Sequence, residues 1–329
     1  MSQPVGKILW AMGSIILATG LLSGASTPRQ TSSALSQKSP ALPLDLPSGM
    51  RVFPKDNAWN EDISRLPIDP KSAELIAQIG ASKPLHPDFG GVWEGAPAGI
   101  PFVVVSGKTA RQPVTFDYAD ESDAGPYPIP GNPIIEGNGN PNGDRHLLMV
   151  DRDNQRLYEL FALRKEGNRW HAGSGAIFAL NSNALRPPGW TSADAAGLPI
   201  FPGLVRYDEA VIKGEIDHAF RFTVRKTRKA YVFPARHWAS HTLDPALPPM
   251  GMRVRLKAGV DLTKYPRTAQ VILKALKKYG MLLADNGSDL FVSGATDSRW
   301  KTSELEPLKR IKGSDFEVVL MKNIIVSDR

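Results

Sequence analysis

The chain has 329 residues, with 40 Lys plus Arg against 33 Asp plus Glu and no cysteine. The missing cysteine excludes disulfides, thiolate metal centres and cysteine nucleophiles together, so stability has to come from burial. The formal charge of +7 is unevenly spread: Asp117 to Glu136 holds five acids and no Lys or Arg, while Arg221 to Gly280 holds fourteen Lys plus Arg against Asp244 and Asp261. Such segments either pair across a fold or present a surface to anionic polymer.

Met1 to Ala25 read as an export signal. Lys7 gives the positive start, Ile8 to Leu22 the apolar run, and Ser23-Gly24-Ala25 the small-residue cleavage site. The run is short for a bilayer span of about 20 residues and is broken by Gly13 and Gly20. A secreted or periplasmic protein with no membrane span after cleavage is therefore expected. Residues 26–50, rich in Ser and Pro without periodicity, read as a linker, and residues 51–329 as a single β-rich domain.

Asp69 and Pro70 open a helix that Gly80 ends, with Leu75, Ile76 and Ile79 as its apolar stripe. Strands follow at Pro101 to Ser106 and Val114 to Tyr118, and then a long Gly- and Pro-rich loop from Asp117 to Arg145. Leu147 to Asp151 and Leu157 to Leu163 read as a hairpin turned at Arg152 to Gln155. Ala176 to Leu180 is a further strand, followed by a second long loop from Asn181 to Glu215. Ala219 to Val224 and Met252 to Lys257 come next, and alternation in the latter predicts Arg253 and Arg255 on a solvated face. Pro266 to Tyr279 has helical spacing and stops at Gly280. Asn286-Gly287 then predicts a tight hairpin between Met281 to Asp285 and Leu290 to Ser293, and Phe316 to Leu320 is the last strand. The fold class is mainly β: an antiparallel two-sheet sandwich, jelly-roll-like, with long loops and one or two peripheral helices.

Chemistry-bearing residues gather at strand ends and in the two long loops. Asp117, Asp120, Glu121 and Asp123 crowd four carboxylates into seven residues. Such a run binds a hard cation, meets basic side chains, or holds one raised pKa; no cofactor is required, and calcium is the ion to test at Asp120, Glu121 and Asp123. Asp144 and His146 sit at a loop-to-strand junction, either as acid–base groups or as a self-bonded turn. Glu215 and Asp217 share one face before the strand that follows His218, which suits a general acid and its partner or two solvated charges. Arg236, His237, Trp238 and His241 read better as the lining of a groove than as a zinc site, and Trp190, Tyr207 and Trp238 could stack on sugar rings. Asp285 either caps its turn or presents a carboxylate at a strand end. No phosphate-binding loop, dinucleotide fingerprint or serine-hydrolase elbow occurs, and nothing points to nucleic acid.

The strings Phe53-Pro-Lys-Asp-Asn-Ala-Trp-Asn60, Thr115-Phe-Asp-Tyr-Ala-Asp-Glu-Ser-Asp123, Trp190-Thr-Ser-Ala-Asp-Ala-Ala-Gly-Leu-Pro-Ile200 and Tyr279-Gly-Met-Leu-Leu-Ala-Asp-Asn-Gly-Ser288 resemble those of a widespread family of secreted bacterial proteins, known as an uncharacterised one. The resemblance spans nearly all of Arg51 to Phe316. It implies one continuous domain and brings no activity, substrate or catalytic residue with it.

The leading expectation is a secreted hydrolase or lyase acting on a polysaccharide by carboxylate and His acid–base chemistry. Asp120, Glu121, Asp144, His146, Asp194, Glu215, His218 and His237 are its candidate catalytic residues, and Trp190, Tyr207, Arg236 and Trp238 its candidate substrate-binding ones. The competing expectation is a non-catalytic glycan-binding or cell-envelope protein, for which clustered acid and base are unnecessary. In both, the partner is a polysaccharide or cell-envelope glycan.

Overall fold

Short runs of Val, Leu, Ile and Phe form strands near every expected place in a computed structural model that describes residues 46–47, 50–93 and 95–327. The expected export signal and most of the expected linker lie outside these residues. No helix among them is long and apolar enough to cross a membrane.

Ten strands, numbered in chain order, position the site. They are β1 (His86–Asp88), β2 (Phe102–Val105), β3 (Leu147–Asp151), β4 (Arg156–Phe161), β5 (Ser174–Ala179), β6 (Phe220–Val224), β7 (Arg253–Leu256), β8 (Met281–Asn286), β9 (Phe291–Ser293) and β10 (Phe316–Val318). The larger sheet has the order β1-β9-β6-β8-β7-β10, and the second β5-β4-β3-β2. A three-stranded sheet of Val114–Phe116, Arg169–Ala172 and Arg164–Glu166 stands beside them.

The sheets are mixed, which corrects the expectation of purely antiparallel pairing. β1 with β9, β6 with β8, and β2 with β3 run parallel. Parallel neighbours need a crossover rather than a tight turn, and the long connections of this chain supply it. One example replaces an expected hairpin. β8 and β9 are not paired with each other, because β6 lies between them, parallel to β8 and antiparallel to β9. The loop after Asn286 wraps the end of β6: Gly287 N–H donates to Val224 O (2.9 Å), Leu290 N–H to Thr223 O (3.1 Å), and Thr223 Oγ1 to Ser288 O (2.7 Å). Asn286-Gly287 therefore starts a crossover around a strand end, not a two-residue turn.

Helix α1 (Ser72–Ile79) starts two residues after the expected Pro70. Asp69 Oδ1 accepts from Lys71 N–H (2.9 Å), and its Oδ2 is drawn away to Met321 N–H (3.1 Å). Helix α2 (Arg267–Lys278) buries Ile272, Leu273 and Leu276. It ends where Gly280 takes φ +67°, in a place where a Cβ would lie 2.2 Å from Val254 O. No other residue fits that turn.

Arg253 and Arg255 correct a second expectation, since both are buried rather than solvated. The irregular segment 58–66 covers their face. Arg253 donates to the carbonyls of Tyr279 (2.8 Å) and Ala58 (2.8 Å), and Arg255 to those of Ile63 and Leu66 (2.8 Å) and to the Glu317 carboxylate (2.7 Å). A segment without secondary structure has carbonyls that need donors, and the two guanidinium forks supply them.

Candidate active site

A row of polar side chains crosses the larger sheet on one face. Asp88 of β1 lies opposite Ser293 of β9, and the antiparallel register of β9 with β6 sets Ser293 beside Arg221, whose Nη1 hydrogen-bonds the serine Oγ. Asp285 of β8 joins this face through a β-bulge. Arg221 pairs with Leu282 and Phe222 with Leu283, but Thr223 pairs with Asp285, which leaves Ala284 as the extra residue. Side chains alternate along a strand, so without the extra residue Asp285 would point to the opposite face from Thr223 and Arg221. The bulge brings it within electrostatic reach of Arg221, while its Oδ1 accepts the Asn286 N–H (2.6 Å) as a turn-capping aspartate would.

The long loops close over the row. Asp194, from the second loop, is buried and grips Arg221 with both oxygens, at 2.7 Å to Nε and 2.8 Å to Nη2. Ser192 holds that loop turn, its Oγ accepting the Asp194 N–H (2.9 Å). Glu136, from the first loop, meets buried His146 at the start of β3, with Nδ1 to Oε2 at 2.6 Å. His146 Nε2 faces Ala193 O at 3.2 Å. Both ring nitrogens thus point at oxygen acceptors, which requires an imidazolium with two N–H groups. Glu159 on β4 is buried beneath and accepts N–H bonds from Ile200 (2.9 Å) and Phe201 (2.8 Å), fixing the middle of the second loop.

Burial and charge set the protonation of this group. Burial pushes the Asp285 carboxyl up to about 7, aided by Asp194 and opposed by Arg221. Asp88 is raised by desolvation against the pull of Arg221, although its own surface remains open to solvent. Burial works against the His146 cation, but the Glu136 carboxylate outweighs it and holds the ring up to about 9. The same pairing overcomes burial to keep Glu136 below its usual range. Burial raises Glu159 to about 7, with the two backbone N–H groups in opposition. Asp88 and Asp144 are exposed, Glu136 and Asp285 half-buried, and His146, Asp194 and Arg221 buried. The cluster therefore has a charged floor and an acidic rim open to water.

No protein-family model, curated protein or solved structure matches the chain.

Of the residues singled out in the sequence, the fold brings Asp144, His146, Asp194 and Asp285 into this one cluster. Glu121 and His237 form a neighbouring group, with His237 Nε2 3.7 Å from Glu121 Oε2, its Nδ1 2.9 Å from Ala195 O, and the carboxylate accepting Thr191 N–H (3.0 Å). His218 bonds Glu209 (2.9 Å) at a separate cleft. Asp120 and Glu215 are exposed. The aromatic candidates already have partners: Trp190 carries Arg186 over its ring, Tyr207 packs on Trp300 and Arg299, and Trp238 stacks on His237. Arg236 donates to Arg186 O (2.8 Å).

The acidic run of the first loop is divided among basic and backbone partners. Asp117 meets His171 (2.9 Å), Asp123 meets Arg186 (2.6 Å), and Glu121 meets Thr191 and His237, so these carboxylates do not share a centre. Among the described residues, Glu136, Asp144 and His146 could offer ligands to one cation, with donor atoms within 4.8 Å of one another. A hard ion such as calcium prefers oxygen ligands throughout, which the imidazole of His146 does not provide.

Asp88, Glu136, Glu159, Arg221 and Ser293 were not singled out by the sequence. Glu159 and Arg221 did leave a signal there, each being one charge inside an otherwise apolar strand. Such a charge is buried only when paired or hydrogen-bonded.

Proposed function

We propose that the protein is a secreted hydrolase or lyase acting on a polysaccharide through carboxylate acid–base chemistry at the Arg221 cluster. The observation that carries this reading is the β-bulge that aims Asp285, a carboxyl held up to about 7, at a face shared with Asp88 and Arg221. Carboxyl groups whose environments push their pKa values apart divide into proton donors and ionised partners, which is the division glycosidic bond cleavage uses. Asp285 is the proton donor to the leaving oxygen. Asp144, open to solvent and within electrostatic reach of both Asp88 and Asp285, is the base that activates water or removes a sugar proton. Arg221, neutralised by Asp194, positions the donor, and the His146–Glu136 pair steadies the rim.

The test is incubation with a panel of neutral and acidic polysaccharides, read by new reducing ends and by ultraviolet absorbance of unsaturated products. Asp285→Asn should lower the rate by about 10²–10⁴-fold, the range of a lost general acid, with the fold intact. Binding of a glycan without either product would favour the non-catalytic cell-envelope alternative.

A further inference from the structure

A cleft of about 640 Å³ opens beside the foot of β6 and is lined by Arg51, Phe53, Lys55, Arg206, Asp208, Glu209 and His218 among others. At its floor lies Arg206, only 3% exposed. Nη2 of this guanidinium pairs with Glu209, and its Nε lies 3.8 Å from Asp208 Oδ1, beyond hydrogen-bond reach. Nε and Nη1 have no hydrogen-bond partner among the described residues. Buried donors of a charged group left unsatisfied forfeit their hydration without compensation, so natural proteins rarely keep them without a use.

The cleft's charges point the same way. Glu209 is shared between Arg206 and His218, and Lys213 with Asp217 forms a separate pair. Arg51 and Lys55 at the rim are exposed and pair with no carboxylate among the described residues. A free cationic edge thus stands over a buried guanidinium with spare donors. Two backbone features mark the same place: Phe53 is buried with φ +68°, and Arg206 leads into the π-helix Asp208–Lys213. Both kinds of irregularity concentrate at functional sites because they cost stability.

We infer that this cleft binds an oxyanion, a carboxylate, phosphate or sulfate group, with Arg206 as the buried donor and Arg51 and Lys55 as the guiding rim. The site is separate from the Arg221 cluster and does not depend on the polysaccharide reading. A guanidinium is the side chain suited to such groups because its planar donors match their oxygens.

The experiment is a calorimetric and thermal-unfolding titration of the purified protein with sodium phosphate and, in a second arm, sodium glucuronate, each against sodium chloride at equal ionic strength. A ligand bound only by the folded state raises the melting temperature by mass action. The expected result is a saturable rise of several degrees with at least one of the two anions: phosphate alone identifies a phosphate- or sulfate-type ligand, glucuronate alone a carboxylate. Arg206→Met should abolish the response. Should that variant fail to fold, the exposed pair Arg51→Gln/Lys55→Gln provides the test, with an unchanged melting temperature in chloride and affinity weakened about tenfold. Equal behaviour in all three salts, or unchanged affinity in the rim variant, would overturn the inference. Asp285→Asn should keep the full anion response, so failure here and failure of the polysaccharide reading remain distinguishable.

Discussion

Arg221 on β6 and the pair Arg253 and Arg255 on β7 are buried in one sheet with β8 between them, yet their partners differ in kind. Arg253 and Arg255 spend most of their donors on backbone carbonyls of segment 58–66 and of Tyr279. Burial brings Arg253 down to about 10, with Glu61 opposing. Arg221 is held firmly as a cation despite burial by Asp194, Asp285 and Glu136. A guanidinium consumed mostly by carbonyls ties chain segments together and gathers no surplus of carboxylates around it. One surrounded by more carboxylates than it can neutralise leaves some of them holding protons near neutral pH, and that surplus is what singles out the Arg221 region as the candidate site.

The largest effect should come from breaking the acid-rich system. Arg221→Met leaves Asp194 buried and unpaired and should cost about 3–5 kcal/mol in urea unfolding, with Arg221→Met/Asp194→Leu recovering much of it. Recovery in the double variant would show that the loss is electrostatic. Next in size, Arg255→Leu removes two carbonyl bonds and the Glu317 pair, for about 1–3 kcal/mol, and should leave the titration midpoint of Asp285 unchanged. A shifted Asp285 midpoint in that variant would erase the contrast between the two regions.

The pH dependence itself sharpens the comparison. Asp285 and Glu159 have folded pKa values raised to about 7, so the folded protein keeps protons that the unfolded chain has released. Stability should therefore fall as pH rises from about 4 to 7. His146, raised to about 9, contributes stability that is fully present below the usual histidine range and is lost as pH climbs through about 9. Glu136, lowered, adds a contribution that disappears only in acid. Thermal unfolding across this range should show the decline, and Asp285→Asn should flatten its part below pH 7. Smallest of all, Gly287→Val should cost under about 1 kcal/mol if the loop can shift, because its Cβ would crowd Thr223 at 3.0–3.4 Å without a left-handed backbone to strain. A loss above about 2 kcal/mol would show that the crossover around β6 is rigid.

Local periodicity made most strands and both larger helices legible, since alternation and helical spacing are properties of adjacent residues. What it could not supply was which strand lies beside which. Asn286-Gly287 carries the composition of a hairpin, but β6, some sixty residues earlier in the chain, inserts between the two strands it joins. Arg253 and Arg255 alternate as a solvated strand would, and only segment 58–66, about 190 residues away, buries them. In the site, Asp144, His146 and Asp194 were visible as polar residues at loop and strand ends. Asp88 and Ser293 were not, because only the register of β1, β9 and β6 sets them beside Arg221.

The account rests on Asp285 holding a proton near neutral pH, and a carbon-13 NMR titration of its side-chain carboxyl tests this directly, with Asp285→Asn used to assign the resonance. The predicted result is a midpoint near the value of about 7 that burial and Asp194 impose. A midpoint at or below about 4, the range of an ordinary aspartate, would contradict it and leave the Arg221 cluster a structural network like that of its neighbours on β7.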